Sequence, residues 1–179
     1  SSITTTNTLA EICENISANW EDIIPALRSD KRIGNYAYLK PGLGIGGGNI
    51  LRDIKSLKKI AISHNSSNSL MNAILSNSQR RKLWVAEKLN SLLKERNIKK
   101  ISILGLSYKE NTNSTLNSAA IFLVKYFNSI TFYAYDPLVK KTKTYNNLVI
   151  CKNYTEAIKS SNILVISTQH KEFSKIKFI

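Results

Sequence analysis

Five of the chain's seven glycines fall within seven positions, in the stretch Lys40-Pro41-Gly42-Leu43-Gly44-Ile45-Gly46-Gly47-Gly48-Asn49-Ile50-Leu51-Arg52-Asp53. Glycine reaches positive φ at no steric cost and lets a main chain approach a ligand closely, at an entropic cost that a plain connection does not need five times over. Successive exposed N–H groups suit an anionic or strongly polar ligand, and a helix opening at Ile50 would add its positive N-terminal end. Two common Gly-rich motifs can be tested against the stretch. Gly42-Leu43-Gly44-Ile45-Gly46-Gly47 satisfies G-x-G-x-x-G, but that pattern binds a dinucleotide only between a buried strand and a helix. The preceding Asn35-Tyr36-Ala37-Tyr38-Leu39-Lys40-Pro41 is no apolar strand, and Pro41 opposes a central one. A P-loop fails because no Gly-Lys-Ser/Thr follows.

A second stretch could also meet a phosphate. Gly105-Leu106-Ser107-Tyr108-Lys109-Glu110-Asn111-Thr112-Asn113 follows the apolar run Ile101-Ser102-Ile103-Leu104. Lysine at such a position offers a point charge to a diphosphate. Read blandly, Tyr108 is a core residue and Lys109 a solvated surface one.

Taken together, these motifs resemble the UDP-glucose/GDP-mannose dehydrogenase family of nucleotide-sugar 6-dehydrogenases. Arg32-Ile33-Gly34, a Pro-Gly pair, then Gly-x-Gly-Gly and a basic-Asp pair follow that family's active-site loop. Gly105 to Asn113 follows its Gly-Leu-(Ala/Ser/Thr)-(Phe/Tyr)-Lys-x-Asn-Thr-Asp, the opening of its nucleotide-sugar-binding domain. Tyr135-Asp136-Pro137 and Thr168 to Phe173 match shorter family segments.

The resemblance implies an NAD-dependent oxidation of a UDP- or GDP-sugar C6 alcohol to a uronate, of the kind used in polysaccharide biosynthesis in the cytoplasm. In the family a cysteine holds the aldehyde as a thiohemiacetal and then a thioester, while an aspartate helps activate water. Here Asn49 occupies the cysteine's position and Asp53 the aspartate's. An amide is no thiolate, so covalent catalysis through position 49 is excluded. Asp53 retains the capacity to orient water as a general base. By the same resemblance Arg32, Gly44, Gly46, Gly47, Tyr108 and Lys109 contact the nucleotide sugar; read alone, Arg32 is a surface arginine. The family arginine that touches NAD is Leu116, which cannot neutralise phosphate, so no cofactor-binding residue is assigned.

The expectation is a fragment that begins inside the family's helical central domain, lacks its N-terminal NAD domain, binds NAD weakly if at all and does not turn over alone. The alternative is a non-catalytic nucleotide-sugar-binding or dimerisation module. On either reading the Gly cluster and the Tyr108-Lys109 turn should face a common cleft, and a homodimer should form through the central helices.

Composition limits other roles. The net charge is +14, carried unevenly: residues 1–50 hold four basic and five acidic side chains (−1), residues 51–179 hold 22 and seven (+15). Such a surface attracts polyanions. The lysines are nevertheless dispersed over solvated helix faces without interleaved aromatics, which disfavours a nucleic-acid platform. No apolar run reaches the 18 residues of a membrane span, and Ser1-Ser2-Ile3-Thr4 lacks a signal peptide's basic start. Cys13 and Cys151 are expected as buried free thiols in a reducing compartment, and His64 as a surface histidine rather than a metal ligand.

The elements that must position these residues are legible as periodicities. Helices are expected over about Thr5–Asn15, with Leu9, Ile12 and Cys13 on one face, and over Trp20–Leu27 after an Asn19 cap. After a polar turn at residues 28–32 and the Gly-rich loop, a helix runs through Ile54, Leu57, Ile60 and Ala61. A long one covers Leu70–Arg96, with a stripe through Leu70, Ile74, Leu75, Leu83, Trp84, Leu89, Leu92 and Leu93. Its Asn77-Ser78-Gln79-Arg80-Arg81 resembles the segment where the family's central helix passes between lobes. Strands follow at 101–107, 130–135, 149–151 and 163–167, with helices at 118–127 and 154–160. The fold class is therefore α/β: a helical central region with a long connecting helix (1–96), then a Rossmann-like parallel domain (97–179).

Overall fold

A computed structural model describes residues 2–176, save the side chain of Arg96; Ser1 and residues 177–179, the last of which close the stretch carrying the resemblance, lie outside the described residues. Among the described residues, six helices and four strands follow in the order α1 (Ser2–Asn15), α2 (Trp20–Ser29), α3 (Asn49–Ser63), α4 (Ser69–Arg96), β1 (Lys100–Leu104), α5 (Ala119–Tyr126), β2 (Thr131–Tyr135), β3 (Leu148–Ile150), α6 (Tyr154–Lys159) and β4 (Leu164–Ile166), with a 3-10 turn over Lys171–Lys175. The chain divides into two compact units. One takes the chain up to Ile45 together with Ile50–Leu83; the other takes Gly46–Asn49 and the chain from Trp84 onward.

The sheet of the second unit is parallel throughout, in the order β3-β2-β1-β4. Ile101 sits opposite Phe132, and Ser102 opposite Leu164. The alternation of β1 explains its two faces. Ile101 and Ile103 enter a core with Phe132, Ala134, α5 and the second half of α4, where Ala86, Leu89 and Leu93 are buried. Leu104 points into a second core with Ala157 and Phe173. Ser102 is fully buried on that same α6-facing side, where its hydroxyl is satisfied by Ala157 O and Ser161 Oγ. The order reverses at β1, which places the switch between β1 and β4, where ligands of such sheets sit beyond the strand ends.

The helical unit has a smaller core. Ala10, Cys13, Trp20 and Leu39 are buried with Ile24 and Leu27 against them, and Trp20 Nε1 donates to Leu39 O at 2.8 Å. Asn19 caps α2 as expected, accepting from Glu21 N at 3.2 Å.

Three expectations change. The buried face of α1 is Thr6, Asn7, Ala10 and Cys13, not Leu9 and Ile12, which are exposed. Thr6 and Asn7 turn inward because they bond loop backbone, at Tyr38 O and Gly42 N. The stripe of α3 is largely open: Ala61 is buried, whereas Leu57 and Ile60 are each 54% exposed. In α4 the buried stripe runs Ile74, Ser78, Arg81, Lys82, Ala86, Leu89, Leu93, leaving Leu70 and Leu92 exposed. Its polar middle is what the apolar periodicity could not register. The unit division falls within α4, between Leu83 and Trp84, because the helix's last turns belong to the sheet's core. Cys13 and Cys151 are both buried and free, and burial is the main cause that pushes the Cys151 thiol above its ordinary pKa.

Candidate functional site

β1 ends at Leu104, short of the expected Ser107, because Gly105 takes φ +86 and turns the chain across the strand ends. A side chain at Gly105 would collide with Thr168, so only glycine allows β1 and the segment after β4 to approach this closely. Thr168 Oγ1 then donates to Ser107 O at 2.5 Å.

The turn is held from below by Asp136, which follows β2. Its Oδ2 accepts Leu106 N at 2.7 Å, Ser107 N at 2.9 Å and Ser107 Oγ at 3.0 Å. Its Oδ1 accepts Leu138 N at 2.8 Å and Val139 N at 3.0 Å. Burial alone would raise the carboxyl's pKa, but these backbone donors outweigh it and hold it below the ordinary value. His170 Nε2 lies 3.4 Å from both Asp136 Oδ2 and Ser107 Oγ. The Asp136 carboxylate thus fixes the backbone that presents Tyr108 and Lys109.

Beyond the turn, Tyr108 N donates to Ser114 O at 3.0 Å, closing the loop back toward α5. Asn117 takes φ +54 immediately before Ser118, whose hydroxyl caps α5 by accepting Ile121 N at 3.3 Å. Onto this loop sits the end of the Gly-rich stretch. Gly47 N donates to Leu116 O at 2.9 Å, and Asn117 Nδ2 donates to Gly47 O at 2.6 Å. A Cβ on Gly46 or Gly47 would come within 2.9 Å of Tyr108 side-chain atoms, and one on Gly48 within 2.9 Å of Leu116 Cδ2. Three consecutive glycines are accounted for by contact with one tyrosine and one leucine.

Gly46, Gly47, Tyr108 and Lys109 therefore belong to one body, with Asn49 exposed at the first position of α3 and Leu116 beside Gly48. Lys109 is exposed, its Nζ 5.6 Å from the centre of the Tyr108 ring. Tyr108 serves first as the floor under the glycines.

The remaining candidates sit in the helical unit. Gly44 (φ +85) packs on α4, where a side chain would strike the Ser78 carbonyl; Ile45 N donates to Ser78 Oγ at 2.9 Å. Gly42 is held at both polar groups, its N–H by Asn7 Oδ1 at 2.8 Å and its carbonyl by Arg81 Nε at 3.1 Å. Arg32 is 90% exposed and forked onto Asp30, which holds the Asp30 carboxyl below its ordinary pKa and raises Arg32's own. Asp53 is 61% exposed and paired with Arg52 at 2.9 Å. Both charged candidates face solvent with a local partner.

Asn7, Arg81, Asn117 and His170 were not singled out from sequence. Among the described residues, no three His, Cys, Asp or Glu side chains gather as a metal site. Nor does the structure give the G-x-G-x-x-G stretch the strand it needs, since residues 35–48 carry no strand. Leu116 is exposed, apolar and packed at Gly48. These residues do not fit a dinucleotide, and no step through NAD follows from them.

A parallel α/β domain with a lysine-bearing turn at its switch point, joined to a helical unit by a glycine loop, is the build of a nucleotide-sugar dehydrogenase's later domains. The chain belongs to the UDP-glucose/GDP-mannose dehydrogenase family: the family's central domain matches residues 1–79 and its UDP binding domain residues 102–179. It is 32% identical to UDP-glucose 6-dehydrogenase of Rickettsia felis, over 96% of this chain and 40% of that one. To the Rattus norvegicus UDP-glucose 6-dehydrogenase it is 27% identical, over 98% of this chain and 40% of the other. The solved UDP-glucose dehydrogenase of Pyrobaculum islandicum shares the fold, with a TM-score of 0.87 at 18% identity over 99% of this chain and 42% of that one. A UDP-D-ManNAc dehydrogenase from Pyrococcus horikoshii superposes with a TM-score of 0.77 at 25% identity, over 98% and 40%. The chain spans about 40% of the length of the curated relatives it matches.

Proposed function

We propose that this chain supplies the nucleotide-sugar-binding part of a nucleotide-sugar 6-dehydrogenase, and that it holds a UDP- or GDP-sugar without forming a covalent intermediate. The observation that carries the reading is the docking of Gly46 and Gly47 on Tyr108 beside the exposed Lys109. Lys109 meets the diphosphate as a point charge, and the backbone from Gly46 to Asn49 lies along the sugar. Asn49 offers an amide that can hydrogen-bond the C6 group but cannot attack it. For Asp53, Arg32 and Gly44, which belong to the helical unit, the roles proposed, orienting water for Asp53 and substrate contact for the other two, rest on the family resemblance alone. NAD, which the family's enzymes use, is not bound tightly by these residues, and no NADH is formed by this chain alone.

A homodimer through the central helices is supported by the open apolar positions of α3, Leu57 and Ile60, and by Ile16, which follows α1, at 68% exposure. Among the described residues no helix is long and apolar enough to cross a membrane; the working compartment proposed is the cytoplasm, in polysaccharide biosynthesis. The division proposed for function follows residues 1–96 and 97–179. A second reading, a binding or dimerisation module with no oxidative role, is favoured by Asn49 itself.

Isothermal titration with UDP-glucose, GDP-mannose and UMP tests the first claim. The expected result is saturable binding of a nucleoside diphosphate sugar in the range of about 0.1–1 mM, weakened about tenfold in Lys109→Ala. No heat from any sugar nucleotide would overturn it. DNA binding that falls steeply with salt and is not competed by UDP-glucose would replace it with a polyanion-binding role.

A further inference from the structure

Leu116, at the position that the family resemblance leaves without its arginine, and its neighbour Asn117 both bond the glycine run. Gly47 is gripped at both of its polar groups by two adjacent residues: its N–H by the Leu116 carbonyl at 2.9 Å and its carbonyl by Asn117 Nδ2 at 2.6 Å. Gly47 sits at φ +71, buried, with no room for a side chain over Tyr108. Asn117 is suited to the grip by its own backbone. It occupies the left-handed region at φ +54, which asparagine tolerates better than most residues, and Ser118 next to it anchors α5 as its cap. The donor therefore stands in the turn next to the cap of a packed helix.

We infer that Asn117 is a positioning residue: its side-chain amide fixes the Gly47 carbonyl and so orders the backbone of Gly46–Asn49 over Tyr108 before any ligand arrives. A run of three glycines has more conformational freedom to lose than any other tripeptide. Two hydrogen bonds at its middle residue remove that freedom in advance, and a ligand lying along the run binds a preformed surface. The consequence for ligand affinity rests on the nucleotide-sugar reading above; the ordering of the loop does not.

Two variants separate the effects. Asn117→Asp keeps the size and the backbone preference but replaces the donor with an oxygen facing the Gly47 carbonyl. Asn117→Gly keeps the positive φ and removes the side chain. Amide hydrogen exchange on the full chain without ligand is expected to show protection at Gly47, whose N–H is bonded to Leu116 O, falling about fivefold in both variants, as loss of one net hydrogen bond implies, with the β1 and β2 amides unchanged. UDP-glucose titration should then weaken by a similar factor. Unchanged protection at Gly47 in both variants overturns the inference; lost protection with unaltered UDP-glucose affinity bears out the ordering and overturns its consequence for binding. If the unsubstituted chain binds no UDP-glucose, the functional reading fails, and exchange at Gly47 alone decides whether Asn117 orders the loop.

Discussion

Replacing Asp136 with asparagine changes one atom for another of nearly equal size at the point where five donors converge. The amide keeps one acceptor oxygen, which can serve either the Leu138–Val139 pair or the Leu106–Ser107 group, but not both. Its NH2 must then face two backbone N–H groups across 2.7–3.0 Å. Leaving a buried backbone donor without a partner costs about 1–3 kcal/mol, so two orphaned groups cost about 4 kcal/mol. Asp136 is 2% exposed and Leu106 fully buried, so water cannot repair the loss. The effect should be read in the sheet unit alone, since the chain holds two compact units. Native-state exchange of the β1 amides does this, because opening of a packed strand reports the stability of its own cooperative unit. A loss of about 4 kcal/mol appears as exchange faster by on the order of 10³. Acceleration of less than about tenfold would refute the claim that the carboxylate holds this turn by its backbone donors.

The same carboxylate sets a pH dependence. Its folded-state pKa is held down by the backbone donors against burial, so its contribution is complete above about pH 4 and is lost as pH falls through the folded value; urea midpoints of the parent chain and of Asp136→Asn should converge only below that pH. Gly47→Ala forces a side chain into the left-handed region and against the Tyr108 ring, and calorimetry or urea titration should register a loss of about 1–3 kcal/mol. Adding Tyr108→Ala should recover the packing part of that loss but not the backbone part. Trp20→Phe removes the donor to Leu39 O while keeping a ring in the helical unit's core; the expected cost is about 1–3 kcal/mol, seen in amide exchange of α2 with the β1 amides unaffected.

Much of this architecture is written locally. The alternation of Ile101, Ser102, Ile103 and Leu104, the Asn19 cap before Trp20, and the glycine run each announce their conformation within a few residues. The family resemblance rested on such local strings, and it held across nearly the whole chain. The inward roles of Asn7, Ser78, Arg81 and Asn117 are not legible, for the opposite reason. Each is defined by a hydrogen bond to backbone 33 to 70 positions away, and a polar residue that faces inward leaves no apolar period. The inner face of α1 was misread on the same ground: Thr6 and Asn7 look like solvent positions until their loop partners are known. Asp136 stood in a recognised Tyr-Asp-Pro string, but nothing local revealed that its carboxylate gathers two turns. The floor role of Tyr108 was equally hidden, although the three glycines above it were the first thing the sequence offered.

The proposed nucleotide-sugar site runs along Gly46–Asn49 and the Tyr108-Lys109 turn. Backbone amide chemical shifts of the full chain, followed by heteronuclear NMR as UDP-glucose or GDP-mannose is added, test this directly. The expected result is saturable shifts concentrated at Gly46, Gly47, Gly48, Tyr108 and Lys109, with Lys109→Ala needing about tenfold more ligand for the same shifts. Saturable shifts confined to other surfaces, or none at millimolar ligand, would contradict it.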